Sequence, residues 1–383
     1  MMVDKTVYIL GAGFSMDAGA PSQGQIVKSI LGLRDVYKKK NRATVHRWVD
    51  KFEDFLENTL RVSNDERSFY SLEDIYTPID KSIAENISFR GHTPSELTDL
   101  RDAFNRLIIL AVRSYIEMSG KSKATINRFA EHITKLSKIR LDDEKADGVA
   151  VITTNWDIML DNTVNHIVKN EPLKKKQKFP GVVDYCCYIS SLDENDDKIK
   201  PGLYAIGKGG YNVKILKLHG SLNWLQCPKC QRIYVKFYFH WNGGYVFDKK
   251  YCRHCERNYK QKNDESNQVH TNLIMPTFLK NLNNVQNKLI WQNAGIELAE
   301  ASKIVFLGYS LPAADFEFKQ LLSRMIRSDA KIEAVLIEAD DPDKSMGSAR
   351  FQTAGYRFRN FFSGRDIRIE YDGIATYIKK LPI

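Results

Sequence analysis

The 383-residue chain has no uninterrupted apolar stretch long enough to cross a bilayer, and its first residues lack a secretory leader pattern. Both absences argue against a membrane or exported protein and give the expectation of a cytoplasmic one. There is no internal repeat and no low-complexity segment, which excludes solenoids and long disordered tails. Glycine-proline linkers are missing between residues 23 and 145, so nothing there marks a clean domain boundary. Cysteine is scarce, at six residues, and unevenly placed. Four form Cys227-Pro-Lys-Cys230 and Cys252-Arg-His-Cys255; the other two are the adjacent Cys186 and Cys187, expected in a buried strand. In a cytosolic chain, paired C-x-x-C units argue for metal rather than disulfides.

With 43% hydrophobic and 27% charged residues, the rest describes an ordinary globule. Its length suits one large α/β domain with an inserted module, or two domains. The net charge of +10 leaves nucleic acid open as a partner. Basic residues gather at 38–40, at 174–176 and across 227–262, where nine Lys/Arg face two acids. That bias fits a phosphate-binding or acidic-partner face, or simply a solvated surface. Trp224, Tyr234, Phe237, Tyr238, Phe239 and Trp241 could stack bases beside it, or fill the core of a small subdomain.

The apolar run Thr6-Val-Tyr-Ile-Leu10 leads directly into Gly11-Ala12-Gly13-Phe14-Ser15-Met16-Asp17-Ala18-Gly19-Ala20-Pro21. Glycines at the end of a buried strand allow a sharp turn and a close approach to a pyrophosphate, and the next helix supplies amide N–H groups. The ordinary dinucleotide fingerprint would need glycine at Met16; the third glycine is Gly19. A helix is expected near 23–33, then helices at 45–60, 71–87 (capped by Ser71 with Asp74) and 95–118. Strands are expected at 5–10, 148–152, 213–218, 272–275, 303–307, 333–337 and 367–371. Helices at about 157 onward, 284–301, 314–327 and 373–380 alternate with them. The fold class is therefore α/β: a Rossmann-like, doubly wound parallel sheet with a helical insertion at 23–145 and a small subdomain at 225–262.

In such a sheet, ligands sit beyond the carboxyl ends of the strands. Three strands end in polar groups: the Gly11 turn, Thr153-Thr-Asn155-Trp-Asp157, and His219. Taken singly, Asn155 and Asp157 read as helix caps and His219 as a turn residue. Taken together with a phosphate turn, they read as a site. The four cysteines, as C-x2-C, 21 residues, C-x2-C, read as a closed tetrahedral zinc site that shapes the subdomain.

These segments resemble the sirtuins and, more closely, the sirtuin-like NAD hydrolases of prokaryotic immune systems. The matching pieces are G-A-G-F-S-x-x-x-G-x-P at 11–21, T-T-N-W-D at 153–157, L-H-G at 218–220, the cysteine pairs, and L-G-Y-S-L-P at 307–312. The resemblance implies that Gly11, Ala12, Gly13, Phe14, Ser15, Gly19 and Thr153 line the pyrophosphate and its ribose. Gly308, Tyr309 and Ser310 would line the adenosine end, with Glu338 accepting from its ribose hydroxyls. Asn155 would orient the nicotinamide ribose or the attacking water, Asp157 would fix that loop, and His219 would be the general base.

Departures from the deacylating members select the activity. Pro21 is followed by Ser-Gln-Gly rather than Asp-Phe-Arg, Thr154 stands where they have Gln, and the Phe-Gly-Glu stretch that pairs with an acyl-lysine peptide is absent. Pro276-Thr-Phe-Leu-Lys280 stands near that place. Water becomes the expected acceptor, giving an NAD glycohydrolase with NAD as substrate and structural zinc. The resemblance further implies a NAD-depleting effector of antiviral defence, homo-oligomeric, and controlled by a partner such as a HerA-type hexameric ATPase. The alternatives are an NAD-dependent lysine deacylase and a DNA-binding or DNA-processing subunit regulated by NAD.

Overall fold

The computed structural model describes residues 4–38, 43–173, 177–192, 202–237, 249–260, 262, 264–277, 280 and 282–382. Eleven strands lie within them: β1 (Thr6–Leu10), β2 (Val149–Thr153), β3 (Val182–Asp184), β4 (Ser190–Ser191), β5 (Asn212–Lys217), β6 (Gly220–Gln226), β7 (Ile233–Val235), β8 (His270–Leu273), β9 (Lys303–Leu307), β10 (Lys331–Val335) and β11 (Ile367–Glu370). Seven build one sheet in the order β11-β10-β9-β1-β2-β5-β3. Every pairing in it is parallel, with Tyr8 opposite both Val151 and Val305. Near-continuous apolar runs such as Val149–Thr153, buried along their whole length, are what a sheet covered on both faces requires. This is the doubly wound architecture. Order reverses about β1: on one side the chain lays β2, then the edge strand β3, then β5 between them, and it returns to lay β9, β10 and β11 on the other side.

The second sheet, β4-β7-β6-β8, carries the cysteine pairs and is antiparallel about β6. The segment 272–275, expected in the main sheet, contributes to β8 here instead. Its local pattern is equally apolar in either place, and only its partner distinguishes the two. Strands β3, β4 and β6 and the helix Gly202–Gly207 had no sequence signal, being short or irregular. Cys186 and Cys187 are not strand residues. They follow β3 in a bend, with Cys186 at φ +57°, and both are partly exposed.

Helix starts follow their caps. Ser71 accepts from the Asp74 N–H at 3.1 Å ahead of Leu72–Glu85, and Thr93 with Glu96 forms a capping box ahead of Pro94–Ser119. The helix expected at 23–33 is broken at Gly32 into Ile26–Leu31 and Leu33–Tyr37, preceded by a single 3-10 turn at Gln23–Gln25. The helical stretch divides between two cores. Ile126, Phe129, Ala130 and Ile133 of Ala124–Ser137 pack on the main sheet. Phe52, Tyr76, Phe104 and their neighbours form a second core, which continues into Leu222, Cys227, Cys252 and Cys255 of the small sheet. Among the described residues, no helix is long and apolar enough to cross a membrane.

Candidate functional site

A cavity of about 740 Å³ opens where order reverses, beyond the carboxyl ends of β1, β2, β5, β9 and β10. Its wall includes Ala12, Gly13 and Ser15 after β1, Asn155 and Asp157 after β2, His219 after β5, and Gly308, Tyr309 and Ser310 after β9. The helical region adds Gln23, Glu73, Val112 and Lys121. Among the described residues, Lys121 is the only Lys or Arg in that wall.

The glycines act first on backbone packing. A Cβ on Gly13 would sit 2.9 Å from both Gly308 Cα and its carbonyl oxygen, and one on Gly11 would meet Tyr309 Cα at 2.5 Å. The turn after β1 thus crosses directly over the end of β9, where Gly308 takes φ +62° and its carbonyl accepts from Gly13 N–H at 3.0 Å. The segment Ala12–Met16 forms a helix of five residues, earlier than the expected helix and too short to act as an anion site by its dipole.

The loop after β2 is tied to that turn by a directional chain. Asn155 Nδ2 donates to the Gly11 carbonyl (2.8 Å) and to Ser15 Oγ (3.2 Å). Ser15 Oγ donates to Asp157 Oδ2 at 2.7 Å, and Asp157 Oδ1 accepts from Met159 N–H at 3.1 Å. Asp157 is thus not the N-cap of the helix Met159–Asn170, which is Ile158; it accepts from the helix's first N–H with one oxygen, while the other holds Ser15. Burial pushes the Asp157 carboxyl up, and the Lys217 charge and the Ser15 hydrogen bond oppose this. Lys217, at the end of β5, is itself buried; Nζ donates to the Asp157 carbonyl (2.6 Å) and pairs with Asp161 at 3.2 Å.

His219 is buried at the other side of the loop. Its Nε2 lies 3.4 Å from Asp315 Oδ1. Burial pushes the imidazole down to about 4, against the opposing charge of Asp315, so the ring is neutral at physiological pH. This lies well below the near-neutral range that ordinarily suits histidine to the general-base role expected of it. Asp315 Oδ2 accepts from Tyr309 OH at 3.0 Å, and the fully buried Lys280 ammonium stands 3.3 Å from Oδ1.

Other expected residues fall behind or beside the wall. Gly11 is buried with its carbonyl held by Asn155, and Thr153 Oγ1 accepts the Asn155 N–H at 3.0 Å. Phe14 points into the core against Phe129, centroids 5.2 Å apart. Gly19, at φ +90°, leaves no room for a Cβ beside Ser119. Glu338 is not in the wall: it is exposed and paired with Lys344 at 2.7 Å, while Asp340 and Asp372 line the cavity near it. A one-turn helix at Glu338–Asp340 makes that difference. Lys217, Lys280 and Asp315 escaped sequence reading. Asp315 immediately precedes the helix Phe316–Met325, where an acid reads as a cap.

The ligand atoms of Cys227, Cys230, Cys252 and Cys255 all lie within 4.8 Å of one another, with Sγ pairs at 3.8 Å (Cys227–Cys255) and 3.6 Å (Cys230–Cys252). A tetrahedral ion with zinc–sulfur bonds of about 2.3 Å separates its sulfurs by roughly 3.8 Å, so the four thiols fit a closed structural zinc site. The acidic group Asp147, Glu297 and Glu300 is instead an ion-pair cluster around Lys5 and Lys214. Trp224 and Tyr234 are buried, which is the core-filling alternative; Tyr238, Phe239 and Trp241 lie outside the described residues, as do Lys39, Lys40 and 174–176. Several basic side chains near the cysteines have internal partners: Lys249 on Glu265 (2.6 Å), Arg232 on Ser190 (3.0 Å), Lys229 over the Tyr259 ring.

No family model matches the chain, and no curated protein is significantly similar to it. Among solved structures it is similar to Sir2Tm bound to a propionylated peptide, at 14% identity and a TM-score of 0.37, covering 98% of this chain and 91% of that one. It is similar to a structure described as the structural basis of sirtuin substrate affinity (14%, TM-score 0.40, 98% and 92%). A third is Sir2 in complex with the inhibitor EX-527, 2′-O-acetyl-ADP-ribose and a deacetylated p53 peptide (13%, TM-score 0.34, 98% and 91%).

Proposed function

We propose that this chain is an NAD glycohydrolase, cleaving NAD to nicotinamide and ADP-ribose. One observation carries the reading: an amide (Asn155), an imidazole (His219) and the Gly13–Gly308 backbone crossing, far apart in sequence, line a single cavity at the switch point of a doubly wound sheet. The cavity's volume is in the range of small-molecule sites.

The N-glycosidic bond of NAD already has a cationic leaving group, so nicotinamide departs with the bonding electron pair and needs no strong acid. The site has two tasks: to stabilise an oxocarbenium-like ribosyl centre and to position water. The carboxylates of Asp157 and Asp315 supply negative field, and Asn155, locked by Gly11 and Ser15, supplies orientation. Water bonds to the anomeric carbon and gives its proton to the neutral His219 imidazole as that bond forms. Neutral His219 accepts hydrogen bonds from this side, with Asp315 able to balance a transient imidazolium.

Water rather than acyl-lysine is favoured by the departures at 22–24, Thr154 and 276–280. Trp156 Nε1 donates to the Ile274 carbonyl at 3.2 Å and its own carbonyl accepts from Leu222 N–H at 2.9 Å, which stitches the loop after β2 to the small sheet. The sequence resemblance extends the proposal to a defence effector that depletes NAD, assembled as a homo-oligomer and switched by a HerA-type ATPase. The test is incubation with NAD alone and with an acylated peptide. Nicotinamide and ADP-ribose are expected without peptide; a strict peptide requirement, with acylated ADP-ribose as product, overturns the hydrolase in favour of a deacylase.

A further inference from the structure

Lys217 is buried behind the cavity. It ends β5 opposite Thr153, the last residue of β2, and only 2% of it is exposed. It is not part of the cavity wall, where its near neighbour His219 and the loop residues Asn155 and Asp157 stand. Burying an ammonium is costly unless partners compensate it, and a well-packed apolar residue of similar volume often serves stability as well or better. The fold alone therefore gives no reason for a lysine at this position.

Its partners all belong to the loop and helix that carry Asp157. Nζ donates to the Asp157 carbonyl at 2.6 Å and pairs with Asp161 Oδ2 at 3.2 Å, one helical turn further on. Tyr185 OH, just beyond β3, donates to the other Asp161 oxygen at 2.8 Å and so fixes that carboxylate's direction. The groups that act on the Asp157 side chain come from three elements. Ser15 Oγ reaches it from the turn after β1, the Met159 N–H and the Asp161 charge from the helix that follows it, and the Lys217 charge from β5. Two buried carboxylates thus share one buried ammonium. Burial and the Asp161 charge favour the neutral acid at Asp157, whereas Lys217 and the two hydrogen bonds favour the carboxylate. Charges in such a setting are poorly screened, so removing one member is felt by the others.

We infer that Lys217 is a positioning residue for bond cleavage: it ties down the Asp157 peptide through its carbonyl and supplies the countercharge under which the Asp157 side chain meets the cavity as a carboxylate. Asp161, aimed by Tyr185, holds the ammonium in place. This role rests on the NAD reading, under which the Asp157 charge lies on the side of the forming ribosyl cation. Lys217 touches no substrate and acts through Asp157.

The opposite signs of the two neighbours give the test. Nicotinamide release is followed between about pH 5 and pH 8 in the native chain, Lys217→Met, Lys217→Arg and Asp161→Asn. Without the ammonium Asp157 takes up its proton more readily, so in Lys217→Met the ratio of kcat at pH 6 to kcat at pH 8 should fall by roughly threefold or more. KM should stay within about threefold of native, since no contact to substrate is lost. Lys217→Arg retains the charge and should restore the native ratio. Asp161→Asn removes a repulsion from Asp157, so its ratio should equal or exceed the native one. A Lys217→Met chain slowed by one factor at every pH marks a merely structural lysine and overturns the inference. So does a ratio that falls in Asp161→Asn, a nearly isosteric change that keeps the test decisive should Lys217→Met fail to fold.

A measurement without ligand separates this role from NAD hydrolysis. The infrared carbonyl band of a protonated carboxylic acid, recorded at neutral pH, should be stronger in Lys217→Met than in the native chain, and adding Asp157→Asn should remove the gain. A gain that survives Asp157→Asn belongs to Asp161 and overturns the inference. The expected band in a chain whose native form releases no nicotinamide sinks the hydrolase and keeps Lys217 as the counterion of Asp157.

Discussion

The buried, neutral His219 makes a prediction that needs no substrate. Its imidazole titrates near 6.5 in an unfolded chain and is pushed down to about 4 in the folded one. Between those values the unfolded state binds the proton and the native state does not, so protonation favours unfolding and stability rises with pH across that window. The contribution is fully present above the unfolded value and lost as pH falls toward 4. Linkage gives a loss of about 2 kcal/mol between pH 7.5 and pH 5 from this ring alone. For a chain of this length, with an unfolding entropy of about 0.8 kcal/mol/K, that corresponds to roughly 2–3 °C in melting temperature. The comparison is between the native chain and His219→Gln, melted by calorimetry at both pH values. Other titrating groups cancel in the difference, so the variant's melting temperature should fall by about 2–3 °C less than the native one on acidification. Identical pH dependence in the two chains would refute a neutral, desolvated His219.

Further outcomes follow from the same geometry. The pH profile of nicotinamide release should show no break near 6.5 and should decline only toward 4–5, since a buried ring already neutral has no proton to lose; an inflection near 6.5 in kcat/KM contradicts this. Asn155→Ala should lower nicotinamide release by at least about 100-fold while the chain still melts cooperatively, because it frees the Gly11 carbonyl and the Ser15 hydroxyl together. Turnover within tenfold of native would remove Asn155 from the site. Gly13→Ala should cost about 2 kcal/mol or more, since the new methyl meets Gly308 backbone that cannot step aside, whereas Gly24→Ala, with nothing within 4 Å, should change stability by less than about 0.5 kcal/mol. Equal melting temperatures for the two variants would contradict the close crossing. Cys227→Ser or chelation should lower thermal stability and release close to one zinc per chain by elemental analysis; a metal-free preparation that melts like the untreated one refutes a structural ion.

By itself the sequence determined the elements that carry their own signal. Strands β1, β2, β9 and β11 are read from short apolar runs, the cap at Ser71 starts its helix, and the spacing of Cys227, Cys230, Cys252 and Cys255 declares a metal site because four thiols at such intervals have few other uses. It also singled out Asn155, Asp157 and His219, since polar residues stand out at the ends of buried strands. Tertiary structure alone decided which of these groups meet. Asn155 turns to the Gly11 carbonyl and Ser15, more than 130 residues away, because β1 and β2 are neighbours in the sheet. It also brought in Lys217, Lys280 and Asp315, which read locally as a strand lysine, a loop lysine and a helix-start acid. Burial is the physical reason: the same side chains in water would be unremarkable, and only desolvation and one another's charge at close range turn them into a site. The same holds for β8, where 272–275 chose the small sheet over the large one. Local apolarity specifies that a strand forms, and only the competition between edges specifies its partner.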